Sequence, residues 1–109
     1  MAYDEDLAER VRELLGSADE KRMFGGLAFL INGNMAVCVS RDGGLMVRVP
    51  PGDTAALLTR THVEPMVMAG RDVRGWVRVT TAGVAGTRNL RAWVDRGATY
   101  AGSLPAKGG

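Results

Sequence analysis

The feature that most restricts this chain is a pair of alternating runs joined by Asn-Gly. Leu27, Phe29 and Ile31 alternate with Ala28 and Leu30; the chain turns at Asn32-Gly33-Asn34; Met35, Val37 and Val39 then alternate with Ala36, Cys38 and Ser40. A period of two puts successive side chains on opposite faces of a strand, and Asn-Gly supplies the two positive φ angles of a tight hairpin. The stretch therefore predicts two antiparallel strands. A further turn at Arg41-Asp42-Gly43-Gly44 leads into a third strand, Leu45 to Val49, so the expectation is a three-stranded meander. Gly25-Gly26, just before the first run, could in principle cradle a phosphate. That role needs a strand before the glycines and a helix after them. Here strand alternation follows, and neither Gly-Lys-Ser nor Gly-x-Gly-x-x-Gly occurs, so the glycines read as a bend or bulge.

The flanks have a different period. Leu7, Val11, Leu14 and Leu15 form one helical stripe, with Asp4 placed to cap it and Gly16 to stop it. After the meander, Pro50-Pro51-Gly52 breaks the sheet, and Asp53 can cap a short helix through Ala55 to Leu58. Val63 to Met68 reads as a strand whose Pro65 suggests an edge position or a bulge. Ala69-Gly70-Arg71-Asp72 turns the chain into a strand from Val73 to Thr80, and Thr81 to Gly86 is a loop. Leu90, Trp93, Val94, Gly97, Ala101 and Leu104 then mark a closing helix with Trp93 as a core anchor, and the last residues fray. The order α-β-β-β-α-β-β-α predicts one domain over residues 1–109. Its class is α+β, two-layered, with a five-stranded antiparallel sheet.

Composition limits what such a domain can do. The longest uncharged run, Met23 to Ser40, is broken by glycine and asparagine and cannot span a membrane, and the N-terminus is acidic where a signal peptide is basic. The expectation is a soluble, cytoplasmic protein without a membrane partner. One cysteine excludes an intramolecular disulfide and a multi-cysteine zinc site. The net charge of +2 divides unevenly: residues 1–20 hold seven acids against Arg10 and Arg12, whereas residues 21–109 hold twelve basic residues against five acids. Internal pairing of an acidic first helix with a basic body is the simple reading, an anionic partner the other.

Catalytic chemistry finds little footing. His62 is the only histidine, Cys38 sits within a strand without a flanking base, and Asp4, Glu5 and Asp6 suit a helix start rather than an acid–base pair. The expectation is a non-enzyme with no cofactor, no metal and no catalytic residue. The sheet face is more informative. If Leu45, Val47, Val49, Val73, Val77 and Val79 face the helices, then Met46, Arg48, Met66, Met68, Arg74, Trp76 and Arg78 face away. Methionine, tryptophan and arginine are enriched in protein interfaces, so this set is a candidate contact, most simply of a twofold homodimer. Trp–Arg stacking within one subunit is the competing explanation.

The stretches MFGGLAFLINGNMAVCVS, LMVRV, GRDVRGWVRV, LRAWV and YAGSLPAK resemble the N-terminal domain of the TfoX/Sxy family of bacterial competence regulators. The resemblance runs from about Tyr3 to Lys107. Its most specific pieces are Met23-Phe24-Gly25-Gly26, Gly75-Trp76-Val77, Leu90 with Trp93, and Ser103-Leu104-Pro105 with Lys107. It implies an α+β fold similar to secretion chaperones and a regulatory or protein-interaction module. It also implies a transcription-regulator protein as partner, since the regulators act with the cyclic-AMP receptor protein. Those regulators carry a second, helical domain resembling DNA-binding modules. This chain ends before one, so a stand-alone domain without direct nucleic-acid contact is expected. The alternative is anion or nucleic-acid binding through Arg48, Arg71, Arg74 and Arg78, and a small-metabolite enzyme stands third.

Overall fold

The computed structural model describes residues 3–16, 18–23 and 25–106; Phe24 and Lys107, both part of the family-like motifs, lie outside them, as does the Gly-Gly end. Helix α1 (Glu5–Leu15) starts as its sequence predicts. The Asp4 carboxylate accepts a hydrogen bond from the Leu7 amide at 3.1 Å, and Gly16 closes the helix at φ 74°. Leu7, Ala8 and Val11 are its buried face, with Leu14 and Leu15 packed at the margin.

Six strands follow where five were expected: β1 (Asp19–Met23), β2 (Gly26–Ile31), β3 (Asn34–Val39), β4 (Leu45–Arg48), β5 (Val63–Met68) and β6 (Arg71–Val79). The sheet is antiparallel throughout, in the order β1-β2-β3-β4-β6-β5. The additional strand, β1, reads Asp-Glu-Lys-Arg-Met and has no apolar alternation. Two tertiary contacts hold it. It pairs along its whole length with β2, and Arg12 of α1 donates two hydrogen bonds to the Glu20 carboxylate at 2.6 and 2.7 Å. The Asn32-Gly33 hairpin forms with φ 53° and 80°. Gly26 begins β2 beside Val39, as the bend reading requires: a Cβ there would meet the Val39 carbonyl.

Two other boundaries move. The β5–β6 turn is only Ala69-Gly70, with φ 53° and 77°, so β6 begins at Arg71 rather than Val73. The short helix α2 (Thr54–Leu57) follows a 3-10 turn, Pro51–Asp53, and Asp53 makes no side-chain cap bond to it. Pro65 behaves as expected, since β5 is an edge strand and its register breaks between Pro65 and Val67. A second 3-10 turn, Thr81–Val84, leads into α3 (Thr87–Ser103).

Both long helices cover one sheet face. Leu7, Ala8 and Val11 of α1 join Leu90, Trp93 and Val94 of α3 in a core with Phe29, Val37, Val47, Val77 and Val79. Each fully buried side chain of this size contributes about 1.5–3 kcal/mol. Trp93 is 7% exposed, as an anchor should be, and the guanidinium carbons of Arg60 and Arg96 lie 5.1 and 5.5 Å from its ring centroid. Asn34, at the end of the hairpin turn, is buried and donates to the carbonyls of Ala101 and Pro105 at 3.3 and 3.0 Å. It thereby ties the C-terminal end of α3 to β3.

Candidate interaction face

Strand register defines the face away from the helices. One row crosses all six strands as Lys21, Ala28, Cys38, Met46, Arg78 and Glu64. The next row carries Asp19, Leu30 and Met35, then Arg48 opposite Trp76. Ala28 and Cys38, the small residues in the middle of that row, are fully buried yet stand outside the helix-side core. Met46, Arg48, Trp76 and Arg78 are half-buried and adjacent, so the structure brings these four members of the expected set together.

The arginines are held in place. Arg48 donates to the Met35 carbonyl at 3.5 Å, and its guanidinium carbon stands 5.9 Å from the Trp76 centroid. Arg78 donates to the Gly43 carbonyl at 3.2 Å. Each guanidinium has five N–H donors, so most remain available to an acceptor. Trp–Arg stacking inside one subunit and an outward-facing contact therefore coexist here.

Met66 and Met68 adjoin them, lining one pocket with Met46 and Arg78, and Arg74 alone of the seven lies apart. Met66 is 7% exposed, sunk beside the register break of β5. Met68 is 38% exposed, and with Val67 at 58% it is one of the two exposed large hydrophobic residues among those described. Arg74 follows a different course because Gly75 adopts φ 87°, which resets the strand alternation. Its guanidinium donates to the Pro51 carbonyl at 3.4 Å, and Val73, expected in the core, is only half-buried. The buried Thr54 hydroxyl accepts the Gly75 amide at 3.0 Å and so fixes this bulge next to Trp76. Sequence reasoning missed Lys21, Leu30 and Met35 on the same face. The parity of Ala28 gives Leu30, but Met35 has the opposite parity to Cys38. It reaches this face only because the β2–β3 register shifts at Ala36, a bulge that alternation does not reveal.

The acids of α1 and the arginines of the sheet face lie on opposite sides of the sheet. Among the described residues the ion pairs are Arg12 with Glu9 and Arg12 with Glu20, all within the acidic N-terminal segment. The Glu20 carboxyl is held below the usual carboxylate range by its hydrogen bonds from Arg12. Among the described residues the expected pairing of an acidic helix with a basic body does not form: α1 lies across the sheet from Arg48 and Arg78, and the arginines of α3 on its own side make no ion pair with it. Cys38 is buried in the strand row, and desolvation pushes its thiol up to about 11. His62 is exposed at φ 68°, beside the Gly83 backbone. Among the described residues no helix is long and apolar enough to cross a membrane.

Residues 9–101 match the family model described as the TfoX N-terminal domain. No curated protein and no solved structure matches the chain significantly.

Proposed function

Because the chain belongs to the TfoX N-terminal domain family, which is associated with competence regulation, we propose that it is a non-enzymatic, cytoplasmic protein-interaction module that forms a homodimer through the helix-free face of its sheet. The observation that carries this reading is that both sheet edges are guarded while that face is not. The β1 edge is a run of charges, Asp19-Glu20-Lys21-Arg22, and the β5 edge carries Pro65 and a register break. Such edges resist strand addition. The uncovered face instead presents Trp76 and Met46 with Arg48 and Arg78, residue types that dominate interface energetics. A buried, unactivated thiol at Cys38 and a solitary exposed His62 support a non-catalytic role. In a regulatory setting the remaining partner is a transcription-regulator protein.

The test is sedimentation of the wild type and Trp76→Glu at micromolar concentration. The wild type should be a dimer and the variant a folded monomer, because an unpaired charge at the centre of a contact is costly. A monomeric wild type would sink the homodimer.

One observation favours a second reading. The arginines of residues 21–109 have no carboxylate within 4.0 Å among the described residues, which leaves them free for a polyanion. Nucleic-acid affinity would fall steeply with salt, whereas dimerisation through Met46 and Trp76 would not.

A further inference from the structure

Beside Trp76 lies an apolar cavity of about 250 Å³, walled by Pro51, Ala55, Leu58, Pro65, Val73 and Trp76. A cavity of ~150 Å³ with apolar walls already accepts a benzene-sized group. No described residue fills it. Three residues further along the same hairpin, about 10 Å of strand, Val67 and Met68 stand in solvent at 58% and 38% exposure. The chain thus carries both an unfilled apolar hole and an uncovered apolar knob.

We infer that in the homodimer the β5–β6 tip of each copy seats Val67 and Met68 in this cavity of the other. The inference rests on the homodimer reading and specifies its contact. Three features select a second copy as the occupant. First, knob and hole belong to one chain and lie on one hairpin, so two hairpins side by side and antiparallel place each tip at the other's cavity. The twofold axis then passes near Met66 and Val73, where the β5–β6 register breaks between tip and cavity. Second, the cavity rim carries Asp72 and Arg74, exposed, of opposite sign and two positions apart on β6. Across a twofold axis Asp72 of one copy faces Arg74 of the other, and the reverse pair forms by symmetry. Neither residue has an ion-pair partner among the described residues. Third, Pro65 lacks an amide hydrogen, so the hairpins meet through side chains rather than by extending the sheet. Trp76 lines this cavity as well as the helix-free face, which makes the two parts of the contact continuous.

Sedimentation equilibrium of the wild type and four variants tests this. Met68→Glu removes the knob, and Ala55→Trp fills the hole from an exposed helix position; each should raise the dimer Kd about 30-fold, as loss of an interface hot spot does. Asp72→Arg alone should weaken the dimer, and adding Arg74→Asp should restore it, since the reciprocal pairs re-form with signs exchanged. All four positions are exposed, so far-UV circular dichroism should match the wild type. If Trp76→Glu separates the dimer while Met68→Glu and Ala55→Trp leave its Kd unchanged, the knob-in-hole contact is wrong and the sheet-face dimer stands. A monomeric wild type overturns both.

Discussion

Gly97 of α3 rests directly on Ala36 of β3: a Cβ placed on Gly97 would lie 2.6 Å from the Ala36 carbonyl oxygen and 2.8 Å from Val37 Cγ1. Ala36 is the residue left without a partner where the β2–β3 register shifts, so the helix meets the sheet at a bulge. Backbone contact this close leaves no room for a methyl group. Gly97→Ala should lower stability by about 1–3 kcal/mol through overpacking, despite the helix propensity alanine brings. Urea unfolding would measure it, and an unchanged midpoint would show that α3 can lift off β3.

Trp93 should be the costliest single truncation in the core. It is buried between α3 and the sheet, with Arg60 and Arg96 near its ring. Trp93→Ala should cost about 3–5 kcal/mol. A loss below about 1 kcal/mol in chemical unfolding would contradict the burial described above.

Asn34 joins two elements far apart in sequence through its bonds to the Ala101 and Pro105 carbonyls. Asn34→Ala removes both donors from a buried site and should cost about 1–3 kcal/mol. Hydrogen exchange should quicken at the end of α3 before it does in the β-meander.

Ala69 holds φ 53° in a two-residue turn, a conformation that disfavours a Cβ. Ala69→Gly should therefore stabilise the hairpin by about 1 kcal/mol, read as a rise in the thermal midpoint. Neither residue of the tip contact is altered, so the dimer Kd should stay the same.

Cys38 gives an alkaline signature. Its folded-state pKa, about 11, lies above the ordinary thiol value of 9.0 because burial disfavours the thiolate. Below pH 9 both states keep the proton and the contribution is complete. Between 9 and 11 only the unfolded chain loses it, so stability falls as pH rises, by at most about 1.4 kcal/mol per unit. Cys38→Ala should unfold with a shallower pH dependence over that window, and the native thiol should resist a thiol-reactive reagent at pH 8. Rapid labelling of the folded protein would show that the strand row is open.

Local chemistry alone determined much of this protein. A period of two with Asn-Gly between the runs has one economical solution, a hairpin. The stripe from Leu90 to Ala101 likewise has one, a helix against a sheet, because each apolar pattern must be buried on a single face. The outward placement of Met46, Arg48, Trp76 and Arg78 follows from the same parity. Tertiary structure decided what parity cannot carry. Strand β1 has no apolar signal and exists because β2 offers an unpaired edge and Arg12 grips Glu20. Gly75, held at φ 87° by Thr54, breaks the alternation and sends Arg74 to the cavity rim rather than to the face of Arg48 and Arg78. The distance between the acids of α1 and the sheet-face arginines is also a product of assembly. Composition counts acids and arginines, but only the packing of α1 on the helix layer puts it across the sheet from Arg48 and Arg78, while Arg88, Arg91 and Arg96 stay on its side in α3.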